Sequence, residues 1–272
     1  MHDFYGPTGP APLDQADGLR RLFGGRRRHV LALASNPFVA FGGVVLERLT
    51  SACAEQGCRT LVVDAADSSP APQDMALLDL AACVEPLSPQ VSYLAARGLP
   101  LAHVDTRGSS ARFLDALAAA APEAEVLLLH ANGSDLARMF QRRAVRPVLL
   151  AADHPDSIKH AYASCKLLAQ RCQAMTFDLL LAAPPRSPRL AAIAQSMAGC
   201  ADSFLGVLMR DWAAVDPASE VHDPIPAALQ RLVAGQLALT DEGHARWSGE
   251  AAGPATATAS LHGDARTGAR PT

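Results

Sequence analysis

The sequence predicts an α/β protein built on a mostly parallel, doubly wound sheet, with helices on both faces making three layers. Three observations carry this. Short apolar runs alternate with amphipathic helical stretches, and Gly, Pro and Asp mark the joints between them. The 272 residues, 49% of them hydrophobic, suit one medium-sized domain with tails. Strands buried on both faces read as continuous apolar runs rather than as polar–apolar alternation, and the runs here are of that kind.

Residues 1–12 hold three prolines and two glycines and read as mobile. Asp14 can cap a short helix reaching about Phe23, which Gly24-Gly25 ends. Arg26 to Arg28, a solvated charge run by default, lead into a strand at His29–Ala34. A helix from Gly42 to Gln56 closes at Gly57, and a strand at Thr60–Val63 runs into Asp64. A short strand is expected at Leu101–Val104; the remainder of 83–107 has no readable role. Then follow helix Ala111–Ala121, strand Glu125–Leu129, helix Ser134–Arg143 and strand Val148–Ala151. Helix Ser157–Gln173, strand Phe177–Ala182, helix Pro188–Ala201 and an edge strand at Phe204–Leu208 complete the alternation.

A last amphipathic helix, 224–240, carries Ile225, Leu229, Leu232, Val233 and Leu237 along one stripe. Arg231 is its only basic residue, so attraction to anionic lipid is weak and packing on the domain is expected. After about Ser248 the composition cannot bury enough apolar surface to order itself. The chain therefore divides into an arm (1–28), an α/β domain (29–240) and a disordered tail (241–272).

Composition excludes several classes. A net charge of −3 supplies no field that recruits nucleic acid. Six cysteines without a CxxC pair read as free thiols of a reducing compartment rather than as metal ligands or disulfides. No apolar run approaches the roughly 18 residues of a membrane span, and the opening residues do not form a signal peptide. The expected location is cytoplasmic, with membrane contact at most peripheral.

In a doubly wound sheet the loop after the first strand is where phosphates bind, on helix N-terminal amides. Here that loop is Ser35-Asn36-Pro37-Phe38-Val39-Ala40-Phe41-Gly42-Gly43. With the helix, Gly57, the second strand and Asp64, it resembles the opening of the MinD/ParA ATPases: strand, GKGGVGKT loop, helix, Gly, strand, Asp. The resemblance implies their P-loop NTPase fold, of the SIMIBI class. It also implies a lost site. Pro37 stands where the family's signature Lys would be, Gly42 replaces the Lys that holds the β- and γ-phosphates, and Gly43 replaces the Thr that ligates Mg²⁺. Phe38, Val39 and Phe41 replace glycines that let the backbone close on phosphates. The chain's two lysines, Lys159 and Lys166, both lie on the helix at 157–173. ATP and Mg²⁺ are therefore expected not to bind productively, and no catalytic residue or metal ligand is assigned.

Asp64 survives where relatives keep an acidic residue; without Mg-ATP its expected role is to cap or orient the loop. The family's Asp-Thr-x-x-Gly switch has become His130-Ala131-Asn132-Gly133. His130 could be taken for a base, but no nucleophile or carboxylate lies near it in sequence, so a structural role is expected. Ala182-Ala183 stand in place of the base-recognising Asn.

Two further stretches narrow the resemblance. Val148 to Ala163, with Lys166 beyond, resembles the MinD-branch pattern T-x-P-E-P-T-S-I-T-D-A-Y-A-x-x-K, matching at Pro155, Ser157, Ile158, Ala161, Tyr162 and Lys166. Asp156 or Ser157 would cap that helix, and Ile158, Ala161 and Tyr162 would face the sheet. Asp14-Gln15-Ala16-Asp17-Gly18-Leu19-Arg20 matches the DQAxxLR motif of the FlhG family of flagellar regulators (also FleN or YlxH), just before the first strand. There the motif engages FlhF, an SRP-type GTPase, and stimulates its hydrolysis. Ala16 and Leu19, with Leu22 and Phe23, offer an apolar face for a helix-in-groove contact. Gln15 could position a water and Arg20 could pair with a carboxylate or phosphate.

The resemblance, spanning about residues 14–240, implies a non-enzymatic regulator of flagellar number and placement acting on an FlhF-like GTPase, located at the cell pole or inner membrane. Flagellar basal-body proteins or transcription factors would be further partners. The alternatives are a MinD-like accessory of another envelope machine, such as cellulose export or a pilus, and a live ATPase with unusual loop chemistry.

Overall fold

The structure, a computed structural model, describes residues 28–239 apart from Arg142 and Pro185. The Asp14–Arg20 motif and the tail lie outside the described residues. From Arg28 onward the chain forms β1 (His29–Ala34), α1 (Gly42–Glu55), β2 (Thr60–Ala65), two 3-10 turns, β3 (Glu85–Pro86), β4 (Val91–Ala95) and α2 (Leu99–Ala102). Next come α3 (Ala111–Ala120), β5 (Val126–Ala131), α4 (Gly133–Met139), β6 (Val148–Ala152) and α5 (Pro155–Cys172). β7 (Thr176–Ala182), α6 (Leu190–Leu205), β8 (Leu208–Val215) and α7 (Ala227–Leu237) close the domain.

Among the described residues one eight-stranded sheet has the order β3-β4-β2-β5-β1-β6-β7-β8. Every pairing is parallel except β3 with β4. The sheet is covered on both faces, as a parallel sheet requires. In β1, Leu31 and Leu33 point to one core while Ala32 and Ala34 point to the other. On the first side lie α1, through Val45, Leu49 and Cys53, and α7, through Leu229, Leu232 and Val233. The helices α2 to α6 cover the other side, with Phe113, Leu114, Cys165 and Leu168 among the buried residues. The apolar stripe of the last helix is thus spent on the sheet and α1, while Arg231 on its outer side grips Asp211 through two contacts of 2.9 Å. No helix among the described residues is long and apolar enough to cross a membrane.

Four expectations change. The strand predicted at Leu101–Val104 is the short helix α2 with its following turn. Gly98 is its N-cap, at φ 78°, and Pro100 occupies the first turn, where proline is favoured; the strand of this region is β4. At the far edge, residues 204 and 205 extend α6, which ends at Gly206 in the left-handed region with φ 65°. The edge strand therefore begins at Leu208 and runs on to Val215. Helix α4 stops at Met139, four residues short of the expected end. The N-cap of α5 is His154, whose side chain accepts from the Asp156 amide, rather than Asp156 or Ser157. Ile158, Ala161 and Tyr162 do pack on the sheet side.

None of the six cysteines is in a disulfide, and burial pushes the Cys53 and Cys165 thiols up to about 12. One buried cation fastens the last loop: Arg48 of α1, 1% exposed, donates to the carbonyls of Glu220, Asp223 and Pro224 at 3.3, 2.9 and 2.7 Å. Its replacement strands three carbonyls. Arg48→Met is expected to lower the unfolding free energy by about 3 kcal/mol, read from urea denaturation; an unchanged midpoint would show the clamp to be idle.

Candidate functional site

The strand order reverses at β1, which lies between β5 and β6 although the chain first proceeds to β2. Such a switch point leaves a crevice at the carboxyl ends of the strands. Here the crevice is a cavity of about 320 Å³, walled by the 35–43 loop, the 67–70 segment after β2, Asp64, His130 and Leu150.

Asn36 fixes the loop. It is 6% exposed, and its Nδ2 donates to the carbonyls of Leu150 at 2.8 Å and Ser157 at 2.9 Å. Its Oδ1 accepts from the Phe38 amide at 3.1 Å. Ser157, fully buried, in turn accepts from the Ala152 amide at 2.8 Å. Downstream the loop turns outward. Phe38 is half-exposed, its ring meeting that of His160 edge-on at 6.1 Å. Phe41 is 69% exposed and takes φ 58°, ψ 41° as the N-cap of α1, with no side-chain cap. A bulky residue in this left-handed region is uncommon. A Cβ added at Gly42 or Gly43 would meet nothing within 4 Å, so side-chain space exists where these glycines sit.

Across the cavity, adjacent positions of β2 and β5 place Asp64 beside His130. His130 Nδ1 lies 2.8 Å from Asp64 Oδ1, and both residues are buried. The Tyr93 hydroxyl donates to Asp64 Oδ2 at 3.4 Å, and the Ser69 hydroxyl donates to the Asp64 carbonyl at 2.6 Å. Burial, and after it the Asp64 charge, push the Tyr93 hydroxyl above its ordinary value. Asn132 caps α4 by accepting from the Asp135 amide and donates to Asp67 at 3.2 Å. The carboxylate absent from the sequence neighbourhood of His130 is therefore supplied 66 positions away in the chain.

The expected loop residues do come together: Pro37, Phe41, Gly42, Gly43, Asp64 and His130 all line the cavity. Phe38 does not line it. Asp14, Gln15, Ala16, Leu19 and Arg20 lie outside the described residues. The sequence reading missed Asp67, Ser69 and Tyr93. Tyr93 sits in the unread 83–107 stretch, and its signal was the apolar run Val91–Ala95, marked off by Gly98.

No protein-family model matches the chain, and no curated protein matches it in sequence. Solved structures do match. The MinD cell division protein of Aquifex aeolicus aligns with 78% of this chain and 98% of its own, at 10% identity and TM-score 0.52. Cobyrinic acid a,c-diamide synthase of Mycobacterium smegmatis aligns with 81% and 99% at 14% identity and TM-score 0.53. McdA of Cyanothece, solved in complex with ATP, aligns with 78% and 96% at 13% identity and TM-score 0.53.

The fold is that of the MinD/ParA-type P-loop NTPases.

Within this MinD/ParA-type fold the chemistry of the cavity is distinctive. Its lining holds two carboxylates, Asp64 and Asp67, one imidazole, and neither Lys nor Arg. Both lysines lie on α5, where Lys159 pairs with Asp156 at 3.1 Å. Among the described residues no three His, Cys, Asp or Glu side chains form a group that could hold a metal ion. The arrangement can donate and accept hydrogen bonds through a linked Asp–His pair; it offers no cation to a phosphate.

Asn36 joins loop, β6 and α5. Asn36→Ala is expected to cost about 2 kcal/mol through two stranded carbonyls and to speed hydrogen exchange from residues 38 to 44. Exchange unchanged in the variant would contradict this role.

Proposed function

We propose that this chain is a non-enzymatic, FlhG-type regulator of flagellar number and placement, with its own ATP site lost, which binds and stimulates an FlhF-like SRP-type GTPase through Asp14, Gln15, Ala16, Leu19 and Arg20. The observation that carries the loss of ATP chemistry is the cavity lining, two carboxylates without Lys or Arg. A triphosphate brought there meets like charge, and each absent charge-assisted hydrogen bond forfeits about 1.5–3 kcal/mol.

The remaining donors do not fit Mg-ATP either. Asp64 Oδ1 is engaged by His130, and Gly43 has no hydroxyl to give a metal. Phe41 holds the left-handed backbone that a glycine would hold in the family's loop, with its ring outward rather than absent. The frame of the loop has been kept while its charges have gone, which suits a scaffold more than an enzyme.

The effector reading rests on the seven-residue motif at Asp14–Arg20 and on its position before β1. An arm that supplies Gln15 to order a water, and Arg20 to pair with a carboxylate or phosphate, would act on a partner's nucleotide rather than its own. Arg28, the first described residue, donates to the Pro122 carbonyl at 3.1 Å and lies at the amino end of β1, the end of the sheet away from the crevice.

The test is GTP hydrolysis by the cognate FlhF-like GTPase with the full chain and with its Gln15→Ala variant. Stimulation by the wild type, falling at least about tenfold in the variant, is the expected result. No stimulation by the wild-type chain would overturn the effector reading.

A further inference from the structure

At the opposite end of the sheet from the crevice, a second cavity of about 270 Å³ opens beside the amino ends of β6, β7 and β8. Its wall includes Arg146, Gln173, Met175, Thr176, Arg210 and Leu239. Arg146 is only 5% exposed. Its Nε faces Asp178 Oδ2 at 3.0 Å, and its Nη1 finds no hydrogen-bond acceptor among the described residues. A guanidinium removed from water with unmet donors is costly. Burial pushes it below its ordinary value, against the pull of Asp178, and Arg210 adds to the push.

The neighbouring carboxylates are already committed. Asp178, fully buried, accepts from Gln236 Nε2 at 2.7 Å and from the Asp211 amide at 3.2 Å. Asp211 is held by both contacts of Arg231. The Arg210 side chain, exposed at the cavity, makes no hydrogen bond or ion pair among the described residues. Cys172 also lines the wall, and burial lifts its thiol to about 11, so it contributes no charge. The carboxyl end of α5 approaches through Cys172 and Gln173. It carries about half a negative charge, which is outweighed by the one positive charge that Arg146, Arg210 and Arg231 keep over Asp178 and Asp211. Apart from Thr176, the rest of the wall is apolar, with Ala144, Val145 and Met175.

We propose that this cavity binds a small organic carboxylate with a short apolar tail, its carboxylate at the guanidinium groups of Arg146 and Arg210 and its tail against Val145, Met175 and Leu239. A planar carboxylate matches the guanidinium fork. A volume of about 270 Å³ is of the size that a small molecule fills.

Thermal denaturation of the full chain with sodium hexanoate, hexanol or inorganic phosphate tests the site. Hexanoate is expected to raise the midpoint saturably, and hexanol and phosphate to leave it in place. Arg210→Glu should weaken the hexanoate effect by about tenfold or more. Met175→Asp, a second surface change, should weaken it as well, so that misfolding of one variant does not decide the matter. No hexanoate effect, an equal effect in both variants, or an equal response to phosphate or hexanol would overturn the proposal.

Discussion

The side chain of Asn36 is the constraint on which the crevice depends. One amide group, buried and with both its nitrogen and its oxygen engaged, ties the loop after β1 to the middle of strand β6 and to the start of α5. These three elements border the switch point of the sheet. Ser157 extends the tie by holding the Ala152 amide as β6 ends. The loop can then present Phe38 and Phe41 outward without collapsing into the cavity behind it.

Opposite that loop, the Asp64–His130 hydrogen bond closes the other wall. It joins neighbouring strands whose register sets the two residues side by side. In a site built to hold phosphate and metal, the same carboxylate would face a cation. Here it faces an imidazole, with the Tyr93 hydroxyl and Ser69 arranged around it. On the proposed reading, this polar network stands in place of an anion cradle within the crevice of the fold.

Much of this was legible in the sequence. The doubly wound sheet followed from apolar runs such as Leu31–Ala34 and Leu127–Leu129, whose burial on both faces leaves no other layer arrangement. The loop boundaries followed from Gly57 and from Gly42-Gly43. Gly206 and Gly98, by contrast, were passed over. Each takes positive φ at a helix end, so each displaced a predicted strand into helix. The partnership of His130 with Asp64 could not be read locally, because it arises only when β2 and β5 become neighbours. The buried Arg146–Asp178–Gln236 cluster was invisible for the same reason: its members come from three separate elements and meet only in the folded sheet.

The central claim is that a MinD/ParA-type crevice without a cation in its lining has ceased to hold nucleotide. Isothermal titration of Mg-ATP into the full chain tests it most directly. The account predicts no saturable heat, with or without Mg²⁺. Saturable, Mg²⁺-dependent binding would contradict it and would require the 35–43 loop to cradle phosphates by its backbone alone.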